Sequence, residues 1–120
     1  MTASETVIEH HRGDALDILS SYRRRLVLAR ASERANGVSL SMLARELAAA
    51  AHDQPLTAVT SEQRERNEIR LHHVDLPPLT AAGLVSYNQQ RGVVRALDLP
   101  LEGEEWLEMP VVEALETWNS

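Results

Sequence analysis

The chain has 120 residues, a 13.4 kDa mass, no cysteine and no phenylalanine, with 43% hydrophobic and only 3% aromatic residues. That length suits one domain with a modest core of Leu, Val, Ile and Ala, and the missing cysteine excludes disulfides, thiolate metal sites and thiol nucleophiles. The net charge of −6 is uneven: all the bases lie before Glu102 and are balanced there by acids, whereas Glu102, Glu104, Glu105, Glu108, Glu113 and Glu116 have no base among them.

Every basic residue is Arg, and none is Lys. A GC-rich genome produces that bias, and acid excess keeps a protein soluble at high salt. No apolar run is long enough to cross a membrane. The first residues, "MTASETVIEHHRGD", lack the apolar stretch of a signal peptide. A cytoplasmic protein is the expectation.

In chain order, residues 1–13 lack periodicity and read as an N-terminal arm. Asp14 opens a short apolar cluster of Leu16, Ile18 and Leu19. Ser20-Ser21 can cap a helix over "YRRRLVLARASERA", with Leu26, Leu28 and Ala29 facing a core, and Asn36-Gly37 stops it. "VSLSMLARELAAAAHD" is a second helix with Ser39 as cap and Leu40, Leu43, Ala44 and Leu47 at helical spacing. After the connector "QPLTAV", Thr60 or Ser61 caps a long helix. There Ile69, His72, Leu76 and Leu79 fall on one apolar face.

Pro77 should end or kink the long helix near Leu76, with Pro78 in the first turn of a short continuation that Gly83 closes. "LVSYN" and "GVVRALD" alternate like two strands joined by "QQR". Pro100 and Gly103 then punctuate the chain before an acidic, amphipathic extension over residues 99–120. The order of several helices, a long helix and a hairpin gives an α+β winged helix-turn-helix over residues 14–98. It has about four helices, a two-stranded β-wing and a C-terminal extension. In such a domain the helix before the wing enters the DNA major groove and the wing touches the adjacent backbone.

"ALDILSSYRRRLVL", "VSLSMLARELA" and "LPPLTAAGLVSYN" resemble the ArsR-type winged-helix repressors and, more closely, a haloarchaeal winged-helix domain family. Its pattern is an "RRRLVL" helix, a "SLxxLA" helix, an "HLPxLxxAGxV" segment and a wing ending in "GxV". The resemblance spans residues 14–98 and implies a DNA-binding transcriptional regulator, usually a homodimer. Asp75 stands where the pattern has His. Residues 53–61 also make a longer turn before the long helix than a minimal helix-turn-helix has.

Candidate contacts to double-stranded DNA are Arg64, Arg66, Arg70 and His73 on the long helix, with Arg70 best placed to read a base. The same face would also suit a solvated surface on which Arg pairs with Glu62 and Glu65. Arg91 and Arg95 in the wing suit either phosphate contact or ordinary turn polarity. The Arg23-Arg24-Arg25 run reads as a phosphate patch or as part of the scaffold. The dimer is expected to use Leu71 and Val74 with Trp106, Leu107, Leu115 and Trp118. His72-His73 with Asp75, or His10-His11 with Glu9, could ligate a metal. Adjacent helical histidines diverge by about 100°, however, and no metal or other cofactor is expected. With no phosphate loop and no nucleophile turn, an enzyme is not expected. The alternative to a DNA-binding regulator is a winged helix used for protein contact or dimerisation.

Overall fold

Three helices of the computed structural model, which describes residues 20–108 and Pro110, begin where a hydroxyl side chain can cap them. Ser21 Oγ accepts from the Arg24 amide at 3.3 Å and opens α1 (Tyr22–Ser32). Ser39 Oγ accepts from the Met42 amide at 3.0 Å and opens α2 (Leu40–Ala51). Thr60 and Gln63 form a reciprocal capping box at the start of α3 (Ser61–Arg70), with bonds of 3.1 and 3.0 Å. Each cap satisfies amides that the first turn leaves without intrahelical partners. A 3₁₀ turn, Leu56–Ala58, lies in the connector between α2 and α3.

α1 is the centre of the molecule. Leu26, Val27, Leu28 and Ala29 are consecutive and all buried, so the helix is covered around most of its girth. Leu43, Leu47, Leu71, Leu76, Leu79, Val85 and Val94 close the core around it.

The chain leaves Arg70 without breaking. A π-helical segment, Leu71–Asp75, leads directly into α4 (Leu76–Ala81). The Leu76 amide reaches back five residues to the Leu71 carbonyl. The cause is the proline pair. Pro77 and Pro78 cannot donate, and the Pro77 ring would strike the His73 carbonyl in a regular α-helix. A wider turn relieves that clash and lets the helix continue.

The inserted residue also rotates the apolar stripe. The expected face of Ile69, His72, Leu76 and Leu79 is therefore corrected at its start: Ile69 is 61% exposed, and Leu71, wholly buried, takes its place. Leu71 is thus a core residue and cannot serve as the dimer contact expected of it.

The wing is the hairpin β2 (Val85–Asn88) and β3 (Val93–Ala96), in antiparallel register from Val85 opposite Ala96 to Asn88 opposite Val93. A third strand, β1 (Val38–Ser39), pairs with the other edge of β3, giving the order β1-β3-β2. Two residues are too few to register as a strand in a hydropathy pattern. Gly37 makes the pairing possible. Its φ is +92°, and a Cβ there would stand 2.7 Å from side-chain atoms of Val93 and Arg95. The whole is an α+β winged-helix fold.

The extension folds back on α1 as far as it is described. Its short helix α5 (Glu105–Glu108) packs on α1. Trp106 is wholly buried, its indole N–H donating to the Leu101 carbonyl at 3.0 Å. The Gly103 amide donates to Ser32 Oγ at 2.8 Å, and Glu104 meets Arg30 at 2.7 Å. Trp106 was expected on a dimer surface; it belongs instead to the chain's own core, in one cluster with the buried residues of α1. Leu107 packs against the same core. Leu115 and Trp118 lie outside the described residues. Among the described residues, no helix is long and apolar enough to cross a membrane.

Candidate nucleic-acid interface

α3 is held on one side and bare on the other. None of its residues is fully buried. Gln63, Arg64, Asn67 and Glu68 are half-buried, while Ser61, Glu62, Glu65, Arg66, Ile69 and Arg70 are exposed. At about 100° per residue the exposed set centres on Glu62 and Ile69, with Glu65 and Arg66 beside them and Ser61 and Arg70 at the margins.

The inner side is fastened by polar groups rather than by apolar ones. Gln63 Oε1 accepts from Gln54 at 2.7 Å, and Asn67 Nδ2 donates to the Gln63 carbonyl at 2.8 Å. Asn67 Oδ1 accepts from Arg23 Nη1 at 2.6 Å, and Arg23 Nε meets Asp75 Oδ2 at 2.5 Å. Asp75 is buried and charged, so its partner matters. The "RRR" run is therefore structural at Arg23: one guanidinium spans α1, α3 and the π segment. Asp75, where the resembling pattern has His, faces this network and not solvent.

The cations divide into two groups. Arg64 pairs with Glu68 at 2.8 Å, and Arg66 pairs with Glu62 on the open face. The solvated-face reading expected Glu62 and Glu65 as partners: the structure has Glu62 on Arg66, but Glu68 and not Glu65 on Arg64. Arg70, Arg91 and Arg95 have no side-chain hydrogen bond or ion pair among the described residues. Arg70 borders a small cleft of about 280 Å³ together with Tyr22, Arg23, Leu26, Leu47 and Ala50. It therefore sits on the α1 flank of α3, off the centre of the open face that suits a base-reading side chain.

The wing tip is built on Asn88. Its Oδ1 accepts from the Arg91 amide at 3.1 Å, and its carbonyl accepts from the Gly92 amide at 2.8 Å. Gly92 takes φ +63° with open space beside it, and its carbonyl accepts from Leu40 N at 2.8 Å, tying the wing to the start of α2. Arg91 is exposed at this tip. Arg95 is further back on β3, opposite Ser86, its stem against Gly37.

His72 joins the π segment to the wing. Its Nδ1 lies 3.1 Å from the Tyr87 hydroxyl, and the two rings meet edge to face with centroids 5.7 Å apart. Burial, and then the Glu68 charge, raise the Tyr87 phenol above its usual range. His73 is exposed, its ring edge-on to His72 at 4.7 Å. Among the described residues no three His, Asp or Glu side chains gather as a metal site would need.

Among the described acids of the extension, Glu104 is directed to α1. Arg30 meets Glu104, Glu33 at 3.0 Å and Glu46 at 3.5 Å. The Glu104 hydrogen bond, opposed by burial and aided by the Coulomb field of all three acids, holds the Arg30 guanidinium above its usual pKa.

Sequence reasoning missed Glu65 and Ile69 of the open face as candidate contacts. The one available signal was Pro77-Pro78, whose effect on helix register reaches back to Ile69. Residues 16–95 match a family described as "Domain of unknown function (DUF7344)". No curated protein and no solved structure matches the chain.

Proposed function

The chain belongs to the DUF7344 family, which brings no activity with it, and we propose from its own geometry that it is a DNA-binding transcriptional regulator of the ArsR-like winged-helix type. α3 enters the major groove and the Arg91 wing tip holds the neighbouring phosphates. The observation that carries this reading is the pairing of a helix open along one side with cations left unneutralised around it, Arg70 on α3 and Arg91 and Arg95 in the wing.

The ion pairs on α3 do not oppose it. Glu62 and Arg66 are each 73% exposed, and such an i,i+4 pair stabilises a helix by only about 0.3–0.5 kcal/mol. Arg66 can therefore turn to a phosphate at little cost. The regulator acts as a homodimer, which presents two α3 helices to successive major grooves. With Leu71 and Trp106 in the core, the exposed apolar groups available for pairing include Val74 at 49% and Tyr22 at 52%.

Fluorescence anisotropy with labelled duplexes across a salt series tests the reading. Binding should weaken with salt, and Arg91→Ala should weaken all sequences alike and reduce the log–log salt slope by about one. Absence of binding to any duplex at any salt refutes it. One observation favours a second reading, protein contact through the same face: Glu62, Glu65 and Glu68 match the arginines of α3 in number. Binding of a protein partner that Glu65→Lys abolishes, with no duplex binding, would establish that reading instead.

A further inference from the structure

We infer that α3 recognises the cytosine amino group through Glu65 and the thymine methyl through Ile69, and does not read guanine through an arginine. The inference rests on the DNA-binding reading and adds its base chemistry.

It starts from what the open face presents once its pairs are removed from consideration. Arg64 is half-buried and held by Glu68; Arg66 pairs with Glu62 and, when released, is left to phosphate; Arg70 stands at the α1 flank beside a cleft. Glu65 is exposed with no partner among the described residues, and Ile69 is 61% exposed. They lie at i and i+4, so they are neighbours on the helix, about 6 Å apart.

An ionised carboxylate only accepts hydrogen bonds. In the major groove the available donors are cytosine N4 and adenine N6. Adenine presents the acceptor N7 next to N6, which repels a second carboxylate oxygen. Cytosine has no acceptor on that edge, so it is the better match. An aliphatic side chain has one apolar partner in the groove, the thymine methyl. Bases rise about 3.4 Å per step, so the two contacts fall within one or two base pairs of each other.

Glu65 also discriminates by penalty. A carboxylate brought near phosphates without its amino partner weakens the complex, and sequences that lack cytosine at that position are rejected. No arginine at the centre of the face could supply that rejection.

Selection from a random duplex pool with the full chain, followed by titration of the enriched site, tests this. The enriched site should carry a cytosine with a thymine within two base pairs. Replacing that thymine by deoxyuridine should weaken the unmodified protein about fourfold, the equivalent of one methyl group. Ile69→Ala should be insensitive to the replacement. Glu65→Gln should move the preference from cytosine to adenine by on the order of tenfold, because glutamine can bond both N6 and N7. Both positions are exposed, so melting midpoints should not change. An enriched site whose preference neither variant alters, or a guanine preference that Arg70→Ala removes, overturns the inference while the DNA-binding reading stands. Failure to enrich any duplex overturns both together.

Discussion

Removing Arg23 should cost more than removing Asp75, although the two form one ion pair. The Asp75 side chain is 3% exposed, and Arg23 Nε at 2.5 Å is its hydrogen-bond donor. Arg23→Met keeps most of the stem and removes that donor, leaving a buried carboxylate with nothing to stabilise it. Breaking a buried pair in this way costs about 3–5 kcal/mol, a large part of the roughly 5–15 kcal/mol that holds a domain folded. Asp75→Leu leaves a guanidinium that is 13% exposed and still bonded to Asn67 Oδ1 at 2.6 Å and, at 3.4 Å, to its carbonyl. Its cost should be nearer 1–3 kcal/mol. The double variant should fall within about 1 kcal/mol of the Asp75→Leu protein, since neither charge then remains. Urea denaturation of the four proteins gives the cycle directly. Additive costs, or a greater loss from Asp75→Leu than from Arg23→Met, would refute the assignment of Arg23 as the carboxylate's counter-charge.

Trp106→Ala should destabilise the fold by about 3–5 kcal/mol and remove the shielded component of tryptophan fluorescence, because Trp106 is wholly buried while its indole N–H bonds Leu101. Gly37→Ala should cost distinctly more than Gly92→Ala in thermal melts: both have positive φ, but only at Gly37 would the new methyl meet atoms within 3 Å. Stability should decline at alkaline pH through Tyr87. The phenol is raised above its usual 10.0, so the stabilisation from the neutral form is complete below the unfolded value and is lost as pH rises through the higher folded one. Tyr87→Phe should flatten that decline in denaturation midpoints measured above about pH 10.

The parts of the fold that local chemistry decides were legible in the sequence. Ser21, Ser39 and Thr60 cap helices because a hydroxyl there can reach an amide two or three residues on, whatever the rest of the chain does. The wing could be read from alternation and from the polar "QQR" between its strands. What escaped were features set by distant residues. Ile69 fits an α-helical stripe in sequence, and only the wide turn ahead of Pro77-Pro78 turns it outward and Leu71 inward. Trp106 looked like a surface tryptophan in an acidic tail, because its burial depends on packing against α1 that no window around residue 106 reveals. Arg23 was indistinguishable from Arg24 and Arg25 until Asp75 was found beside it.

A domain with no net basic footprint is a demanding candidate for DNA binding, and the placement of its acids decides how demanding. A carboxylate opposes binding according to its distance from phosphate, not its presence in the composition. Glu33, Glu46 and Glu104 gather on Arg30 beside α1, and Asp75 is neutralised inside by Arg23. On α3, Glu68 and Glu62 are matched within the helix by Arg64 and Arg66, which leaves Glu65 as the unmatched acid on its open face. Long-range attraction to the duplex is consequently weak, and binding must rest on contacts made at hydrogen-bond distance. At about 1 M the Debye length is roughly 3 Å, so steering by distant charge is screened away and an Arg91 phosphate contact loses its counterion-release gain, while in the proposed complex a bond from cytosine N4 would be kept. A neutral α3 that reads DNA as proposed would give up affinity that high salt removes in any case, and would keep the short-range terms on which base selectivity depends.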